Sequence, residues 1–190
     1  MQTALNRDYV GVDEYLAGEE ISLVKHEYID GIVYAMAGAS KEHNSISLNI
    51  AVAFRSHLRG KPCRVFMSDV KAQIETAGKD TFYYPDVMVG CDSRDTHDLY
   101  SRYPKVIVEV SSESTERLDR GEKRLAYQSI ETLEEYMIVA QDRAEVTIFR
   151  RANAWKPETV AGLGQSVIFQ SLGLKLPLSL IYEGVLKLDS

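Results

Sequence analysis

The chain has 190 residues, of which 45% are hydrophobic and 26% charged, and its 28 acidic and 22 basic side chains give a formal net charge of −6. This composition excludes disordered, collagen-like and coiled-coil proteins, and the length fits one domain, residues 1–190, that buries a core without a disulfide or a metal. The acidic balance argues against a protein that coats nucleic acid non-specifically, and no apolar run approaches the roughly 18 residues of a membrane span.

The hydrophobic periodicity predicts, in chain order, a helix over 12–17, strands over 24–29 and 32–37, a helix from 41 to about 60, strands over 64–67, 70–75, 83–89 and 105–111, a helix over 119–130, strands over 135–140, 145–151 and 155–161, and a short last helix from 178. The segments 91–103 and 162–177 are predicted as loops. This order of elements predicts an α/β fold of the α+β type, with a mixed central β-sheet flanked by helices.

Local signals support two of these elements. Asp30-Gly31 stands between two β-rich runs and is the strongest two-residue hairpin signal in the chain. Ser40 is a favourable N-cap residue for the helix that follows it. Leu48 and Val52 lie off the main apolar stripe of that helix, so we expect it to be covered on more than one side.

Cellular context is predicted from two features. Cys63 and Cys91 are too few for a disulfide scaffold and lack the Cys-x-x-Cys spacing of a zinc site. The first twenty residues carry several charges and no apolar core, so we expect no signal peptide. We therefore expect a cytoplasmic protein that does not contact a membrane.

Two carboxylates stand at unusual strand positions. Asp86 begins a strand directly after a proline, and Glu109 lies inside an otherwise apolar strand, on the same face as Ile107 and Ser111. A charge in a buried strand is costly unless it is paired or binds a cation. Two carboxylates on adjoining strand ends are typical ligands of Mg²⁺. The alternative is that Glu109 forms a salt bridge with an arginine at a sheet edge.

The helix after this strand adds a lysine. Asp119, Lys123 and Tyr127 have i, i+4, i+8 spacing and project from one helix face. Lys123 would then point back at the carboxylates and place a positive charge beside a phosphate or an attacking water. The alternative is a plain surface ion pair between Asp119 and Lys123.

Four segments carry a family resemblance: EYIDGIVYAMAGASKEHN, YYPDVMV, VIVEVSSEST and DRGEKRLAYQSIETLEEYMIV. They resemble the Uma-two family of restriction endonucleases, a branch of the PD-(D/E)XK nuclease-like fold. The resemblance runs from about Glu27 to Arg150, with a further family-like stretch in LPLSLIYEGV. It implies a restriction-endonuclease-like fold and a Pro-Asp…Glu-x-Lys site that binds Mg²⁺ (or Mn²⁺) to hydrolyse DNA phosphodiesters, with Pro85-Asp86 and Glu109 at the acidic positions.

The chain departs from the parent motif at its lysine. The position two residues after Glu109 holds Ser111, and within the family the lysine has moved to the following helix, which implies Lys123 as its substitute. A lysine can move in this way because only the position of its ammonium counts, and its stem is long and flexible. Ser111 and Asp119 are additional candidates beside this lysine.

Two further candidates precede the motif. Glu27, on the first hairpin strand, would add a carboxylate, or it is a charge on an edge strand. His43, at the start of the second helix, would act as a base or contact a phosphate, or it is a partly exposed polar residue. No His-x-x-x-His pair or glycine-rich phosphate loop is present in the sequence, which argues against a zinc hydrolase and a nucleotide-binding protein.

Basic residues lie in two groups, at the ends of the second and third helices: Arg55, Arg59, Lys61 and Arg64, and Arg117, Arg120, Lys123 and Arg124. If both groups border one cleft, they would bind the phosphate backbone of a nucleic acid. The alternative is that they are solvent-exposed helix surfaces with no binding role. We therefore predict a Mg²⁺-dependent endonuclease acting on DNA, with Asp86 and Glu109 as metal ligands and Lys123 beside the phosphate. The alternative is a non-catalytic interaction or structural module that keeps the fold, which the acidic charge and the missing Glu-x-Lys favour.

We also expect a homodimer, because cutting both strands requires two sites related by two-fold symmetry. Leu48 and Val52 offer apolar surface for it. The tail adds more apolar side chains: Leu172, Leu174, Leu176, Leu178, Leu180 and Ile181. The alternative is that all of these residues complete the core of one chain.

Overall fold

A computed structural model describes residues 9–112 and 116–186, and a six-stranded sheet lies at its centre. The helices are α1 (Val12–Ile21), α2 (Lys41–His57), α3 (Glu116–Leu118), α4 (Arg124–Gln128) and α5 (Leu178–Ile181), with a π-helical segment, Asp119–Lys123 (the π segment), between α3 and α4. The strands are β1 (His26–Ile29), β2 (Ile32–Ala35), β3 (Arg64–Met67), β4 (Lys71–Thr76), β5 (Lys79–Tyr83), β6 (Val87–Gly90), β7 (Tyr100–Ser101), β8 (Pro104–Ser111), β9 (Glu135–Ala140), β10 (Glu145–Arg150), β11 (Pro157–Ala161), β12 (Ser166–Phe169) and β13 (Leu174–Pro177).

The central sheet is mixed. Its order is β11-β10-β9-β8-β6-β3, in which β8 and β9 are parallel and all other neighbours are antiparallel. A five-stranded sheet, β2-β1-β5-β4-β7, and the hairpin β12-β13 complete the strands. The predicted mixed sheet flanked by helices is confirmed, and β8 is an interior strand with a neighbour on each side.

Alternate side chains of β8 enter two different cores. Val108 and its apolar neighbours two residues away pack in the core that α2 and α5 cover. Ile107 packs on the opposite face, with Tyr127 of α4 and Tyr83 of β5. Because side chains alternate along a strand, Glu109 projects to this second face, as the sequence predicts.

Local geometry confirms the hairpin and the helix start. Asp30 and Gly31 both have positive φ, 48° and 87°, as the tight turn between two twisted strands requires. The Ser40 side chain accepts a hydrogen bond from the backbone N–H of His43, so Ser40 caps α2. The cap fixes the first turn of α2, where His43 lies.

Two strand predictions are wrong. The run 83–89 is not one strand, because β5 ends at Tyr83 and β6 begins at Val87. Pro85 stands between them and has no N–H to donate to a ladder. The tail segment predicted as a loop contains β12 and β13, whose side chains at Val167, Phe169 and Leu176 are buried.

The predicted second covered face of α2 is also wrong within the described residues. Leu48 and Val52 are 49% and 55% exposed. In the tail, Leu180 is 49% exposed, whereas the side chains of Leu172, Leu176, Leu178 and Ile181 are buried in the core beneath α2. Most of the tail therefore completes the core of one chain, and α2 keeps an exposed apolar pair.

Cys63 and Cys91 form a disulfide across the antiparallel pair β3–β6, where the register Arg64↔Gly90 places the two cysteines opposite each other. One disulfide does not make a disulfide scaffold, in agreement with the sequence analysis. The number and spacing of the two cysteines did not, however, predict that they would be bonded to each other. No helix in residues 9–112 and 116–186 is long and apolar enough to cross a membrane. The prediction of no signal peptide concerns a segment whose residues 1–8 lie outside the described part.

Candidate active site

The two predicted carboxylates meet where β6 begins and β8 ends. Val87 pairs with Val108 in the antiparallel register, which places Asp86 and Glu109 opposite each other one step further along. The backbone N–H of Asp86 lies 3.4 Å from Glu109 Oε2, and the N–H of Val110 donates to Asp86 Oδ2 at 2.7 Å. The sheet register therefore brings together two acids that are 23 residues apart in sequence.

Glu109 is the buried acid of this pair, with 3% of its surface exposed. Its Oε1 accepts a hydrogen bond from the Tyr127 hydroxyl at 2.9 Å and lies 3.4 Å from Lys123 Nζ. Burial raises the pKa of Glu109 well above its ordinary value; the Lys123 charge opposes this, and the carboxylates around it reinforce it. The alternative of an arginine partner at a sheet edge is wrong, because β8 is an interior strand and the cation is a lysine.

Lys123 points into the site, as the spacing of the helix predicts. Its ammonium lies 2.8 Å from Glu27, 3.4 Å from Glu109 and 4.0 Å from Asp119. Burial alone would lower the pKa of Lys123, but the charges of Glu109, Glu27 and Asp119 outweigh it and raise that pKa. The alternative of a surface pair is wrong, because Lys123 and Asp119 are 7% and 3% exposed.

Glu27 joins the site from the other sheet. It lies on β1, between β2 and β5, and its side chain has no exposed surface. The alternative of an edge-strand charge is therefore wrong. Of the three acids that the structure describes around the Lys123 ammonium, Glu27 is the nearest, and Glu27, Asp119 and Glu109 hold this lysine from three elements.

The remaining two candidates contact the acids. His43 Nε2, on the first turn of α2, lies 2.8 Å from Asp86 Oδ1. Burial lowers the pKa of His43, but the hydrogen bond and charge of Asp86 outweigh it, so the net shift is upward. The Ser111 hydroxyl donates to Asp119 Oδ2 at 2.6 Å. All seven predicted side chains thus belong to one connected cluster.

The comparisons with known proteins identify the family. The model of the Uma2 family, described as "Putative restriction endonuclease", matches residues 12–179. The chain belongs to the Uma2 family. The predicted resemblance is confirmed.

Two proteins of Synechocystis sp. (strain ATCC 27184 / PCC 6803 / Kazusa) are similar to this Uma2-family chain. "Uncharacterized protein slr1290" is 36% identical over 176 residues, which cover 91% of the chain and 91% of that protein. "Uncharacterized protein sll1609" is 32% identical over 131 residues, which cover 67% of the chain and 73% of that protein.

A solved structure confirms the nuclease-like fold. The crystal structure of "a putative nuclease belonging to DUF820 from Anabaena variabilis ATCC 29413" superposes with a TM-score of 0.74 at 16% sequence identity. The match covers 93% of the Uma2-family chain and 99% of the Anabaena chain. At this identity the likeness concerns the fold alone.

The donor atoms of the Uma2-family site suit a hard cation. Among the residues that the structure describes, no three His, Cys, Asp or Glu side chains form a metal-binding group. Asp86 and Glu109 nevertheless offer carboxylate oxygens on adjoining strands, and Mg²⁺ is commonly held by one or two carboxylates with water and substrate phosphate as its other ligands. The carboxylate oxygens of Asp86 and Glu109 therefore suit Mg²⁺ or Mn²⁺ and do not suit a soft metal.

The two basic groups do not border the site together. Arg55 lies twelve residues after His43 on α2, which corresponds to roughly 18 Å along a helix, and the rest of that group lies beyond it. In the second group, Lys123 is inside the site and the Arg124 guanidinium stacks 5.4 Å from the Phe149 ring. Of the two groups, the second therefore contributes one side chain, Lys123, to the site.

Two tyrosines complete the cluster without having been assigned a role from the sequence. The Tyr127 hydroxyl donates to Glu109, and the Tyr136 hydroxyl donates to the backbone carbonyl of Asp119 at 3.0 Å. The i+4 spacing from Lys123 places Tyr127 on the correct face but gives no partner for it. Tyr136 has no sequence signal, since it reads as one apolar residue of β9.

Proposed function

We propose that this Uma2-family protein is a Mg²⁺-dependent endonuclease that hydrolyses DNA phosphodiester bonds in the cytoplasm, with Mn²⁺ as an alternative ion. One observation carries this proposal: two opposed carboxylates and a buried ammonium converge at the ends of β6 and β8. Burying a lysine among acids is costly, and structural stability alone does not require such a group. The family description supports the same class of activity.

The two acids and the lysine have separate tasks in this proposal. Asp86 and Glu109 hold the ion, which when bound polarises a phosphate and lowers the pKa of a water ligand. Lys123 stabilises negative charge that develops on the phosphate. Because Glu27 lies 2.8 Å from its ammonium, Lys123 is held in place and needs no reorganisation when substrate arrives.

The other contacts position these three groups. His43 contacts one oxygen of Asp86 while the N–H of Val110 binds the other, so the Asp86 carboxylate is fixed at both oxygens. Tyr127 fixes one oxygen of Glu109. Such supporting contacts orient ligands to a metal and are part of a working site.

A plasmid-nicking assay with Mg²⁺ or Mn²⁺ tests the proposal. The wild-type protein nicks supercoiled plasmid, and Asp86→Ala abolishes nicking. Asp98→Ala is the matched control, because Asp98 is an exposed aspartate outside the cluster and its loss leaves nicking unchanged. Absence of nicking by the wild type with either ion, or equal activity of Asp86→Ala, contradicts the proposal.

A non-catalytic module with the nuclease fold is the second candidate. Ser111 at the lysine position of the parent motif favours it, together with the lack of a third metal-ligating side chain in the described ranges. Calorimetric titration with Mg²⁺ separates the two candidates. A module of this kind binds no ion at Asp86 and Glu109 and nicks no plasmid, although it is fully folded.

A homodimer follows from the same proposal, since cleavage of both strands requires two copies of the site. The exposed pair Leu48 and Val52 on α2 offers an apolar surface for the contact. DNA is the proposed partner of the assembled dimer.

A further inference from the structure

A tyrosine on the edge strand β2 stands beside the buried cluster. The antiparallel register of β1 and β2 pairs Tyr34 directly with Glu27, so their side chains lie on the same face of the five-stranded sheet. Glu27 is completely buried, and its carboxylate lies 2.8 Å from Lys123 Nζ. The Cβ atoms of directly opposite residues are roughly 4.5–5.5 Å apart. Tyr34 is therefore a lateral neighbour of the ion pair that holds Lys123.

Tyr34 differs from the other tyrosines around the site. The rings of Tyr83 and Tyr127 lie 5.6 Å apart and are buried together in the core on that face. Tyr34 is half-buried and belongs to none of the three hydrophobic clusters. Within residues 9–112 and 116–186, its hydroxyl forms no hydrogen bond and its ring makes no contact with another ring or a cation. Core packing therefore does not account for an aromatic side chain at this position.

The segment that follows Tyr34 reaches the same site at its other end. Residues 36–40 connect β2 to α2, and the first turn of α2 carries His43, whose Nε2 lies 2.8 Å from Asp86 Oδ1. The side chains of His43 and Asp86 are 20% and 18% exposed, whereas that of Lys123 is 9% exposed. The chain from Tyr34 to His43 thus connects the buried end of the cluster to its accessible end.

We propose that the Tyr34 ring stacks on an unpaired base of the DNA strand whose phosphate lies at Lys123. The inference rests on the proposed function and deepens it, because it names the substrate class as single-stranded or locally unpaired DNA. Each base inside a duplex is covered on both faces by its neighbours, so a protein ring stacks on a base where the strand is unpaired. Every base has a π-face, so the contact adds affinity without reading the sequence.

Fluorescence anisotropy in EDTA with three labelled probes of equal length tests this contact without cleavage. The probes are a single strand of thymidine nucleotides, the same strand with abasic sugars in place of every nucleoside, and a thymidine–adenosine duplex. The wild type binds the thymidine strand roughly 5- to 150-fold more tightly than the abasic strand, which corresponds to the stacking of one base on one ring. Tyr34→Leu removes this preference, because leucine is apolar but has no aromatic face. It leaves the affinities for the abasic strand and the duplex unchanged.

Two further variants make the result specific. Tyr34→Phe keeps the ring and loses the hydroxyl, so it binds all three probes as the wild type does. Tyr103→Leu removes another half-buried tyrosine, whose ring lies 4.4 Å from the Arg94 guanidinium, and it leaves the preference intact. Tyr103 is the matched control because it directly precedes β8, roughly 20 Å along the chain from Glu109. A melting curve for each variant verifies that it is folded.

The outcomes separate this inference from the proposed function. Equal affinity of the wild type for the thymidine and abasic strands overturns the stacking contact, and so does a loss with Tyr34→Leu that is equal for all three probes. A loss with Tyr34→Phe as large as that with Tyr34→Leu also overturns it, since the hydroxyl would then make the contact. If the wild type nicks plasmid in any of these cases, the nuclease stands. If the Tyr34-dependent preference is present but neither Mg²⁺ nor Mn²⁺ supports nicking, the nuclease is wrong and the DNA contact stands.

Discussion

Replacing Lys123 with methionine tests whether the Lys123 ammonium stabilises the buried carboxylates around it. The side chain of Lys123 is 9% exposed and lies within 4.0 Å of the carboxylates of Glu27, Glu109 and Asp119. Methionine has a similar length and no charge, so Lys123→Met removes the ammonium with little change in packing. The three acids then stay buried without that cation, and the free energy of unfolding falls.

The size of this loss follows from the burial. Removing one partner of a buried ion pair typically costs about 3–5 kcal/mol. For a chain of this length each kcal/mol corresponds to roughly 2–4 °C, so the melting temperature falls by about 6–20 °C. The double variant Lys123→Met, Glu109→Gln regains part of this loss, because one of the stranded acids becomes neutral while its amide oxygen still accepts from Tyr127.

Urea denaturation of the wild type, both single variants and the double variant forms a double-mutant cycle, with EDTA present to exclude metal. The expected interaction free energy is about 0.5–3 kcal/mol. A loss below about 1 kcal/mol for Lys123→Met, or strictly additive effects, would refute the reasoning. It would mean that solvent reaches the cluster and that the ammonium does not hold the acids.

Four further outcomes are expected. Glu109→Gln abolishes Mg²⁺ binding in calorimetry and leaves the fold as stable as the wild type or more so; a loss of several kcal/mol would instead mean a structural salt bridge. Dithiothreitol lowers the free energy of unfolding by roughly 3–4 kcal/mol, because the disulfide closes a loop with a sequence separation of 28. The Cys63→Ser variant has no disulfide, so the reductant leaves its stability unchanged. A wild type whose stability does not respond to the reductant would contradict this prediction. His43→Ala lowers nicking by about 10–100-fold, as for other supporting contacts of metal ligands, and unchanged nicking would exclude a positioning role. Sedimentation at micromolar concentration shows a dimer that Leu48→Lys with Val52→Lys dissociates, whereas a single 21.4 kDa species for the wild type would remove the dimer.

Local patterns predicted those parts of the fold that local interactions determine. Asp30-Gly31 specifies its turn because both residues tolerate positive φ, and Ser40 specifies a helix start because its hydroxyl reaches the N–H of His43. The alternation along β8 predicted correctly which face carries Glu109. In each of these cases, the residues that carry the sequence pattern lie within a few positions of the feature that they determine.

Long-range contacts decided the features that sequence patterns missed. Pro85 divides a run that reads as one strand, and the two resulting strands enter different sheets. Leu48 and Val52 suggested a covered face, but coverage depends on what packs there, and α5 packs on another side of α2 through Asn49. The disulfide likewise depends on the pairing of β3 with β6, which no cysteine spacing reveals.

The site shows the same division. Their strand positions and the family resemblance both indicated Asp86 and Glu109, and the antiparallel register of β6 and β8 explains why they meet. The contact of Glu27 with Lys123 could not be predicted from the sequence, because the two residues are 96 positions apart and lie on different elements. The burial of that pair arises only when the two sheets pack together.

The π segment carries Lys123, the residue that we propose as the substitute for the lysine of the parent motif. A π-helical turn is uncommon and often occurs at functional sites, and here it contains both Asp119 and Lys123. Its first residue is tied to β8, since Ser111 donates to Asp119, and α4, which follows it, is tied to β8 because Tyr127 donates to Glu109. Ser111, which occupies the motif's lysine position, therefore still acts on the ammonium through Asp119. We infer that Ser111 and Lys123 act together: Ser111 of β8 holds Asp119 on the π segment, and the same segment positions the ammonium of Lys123.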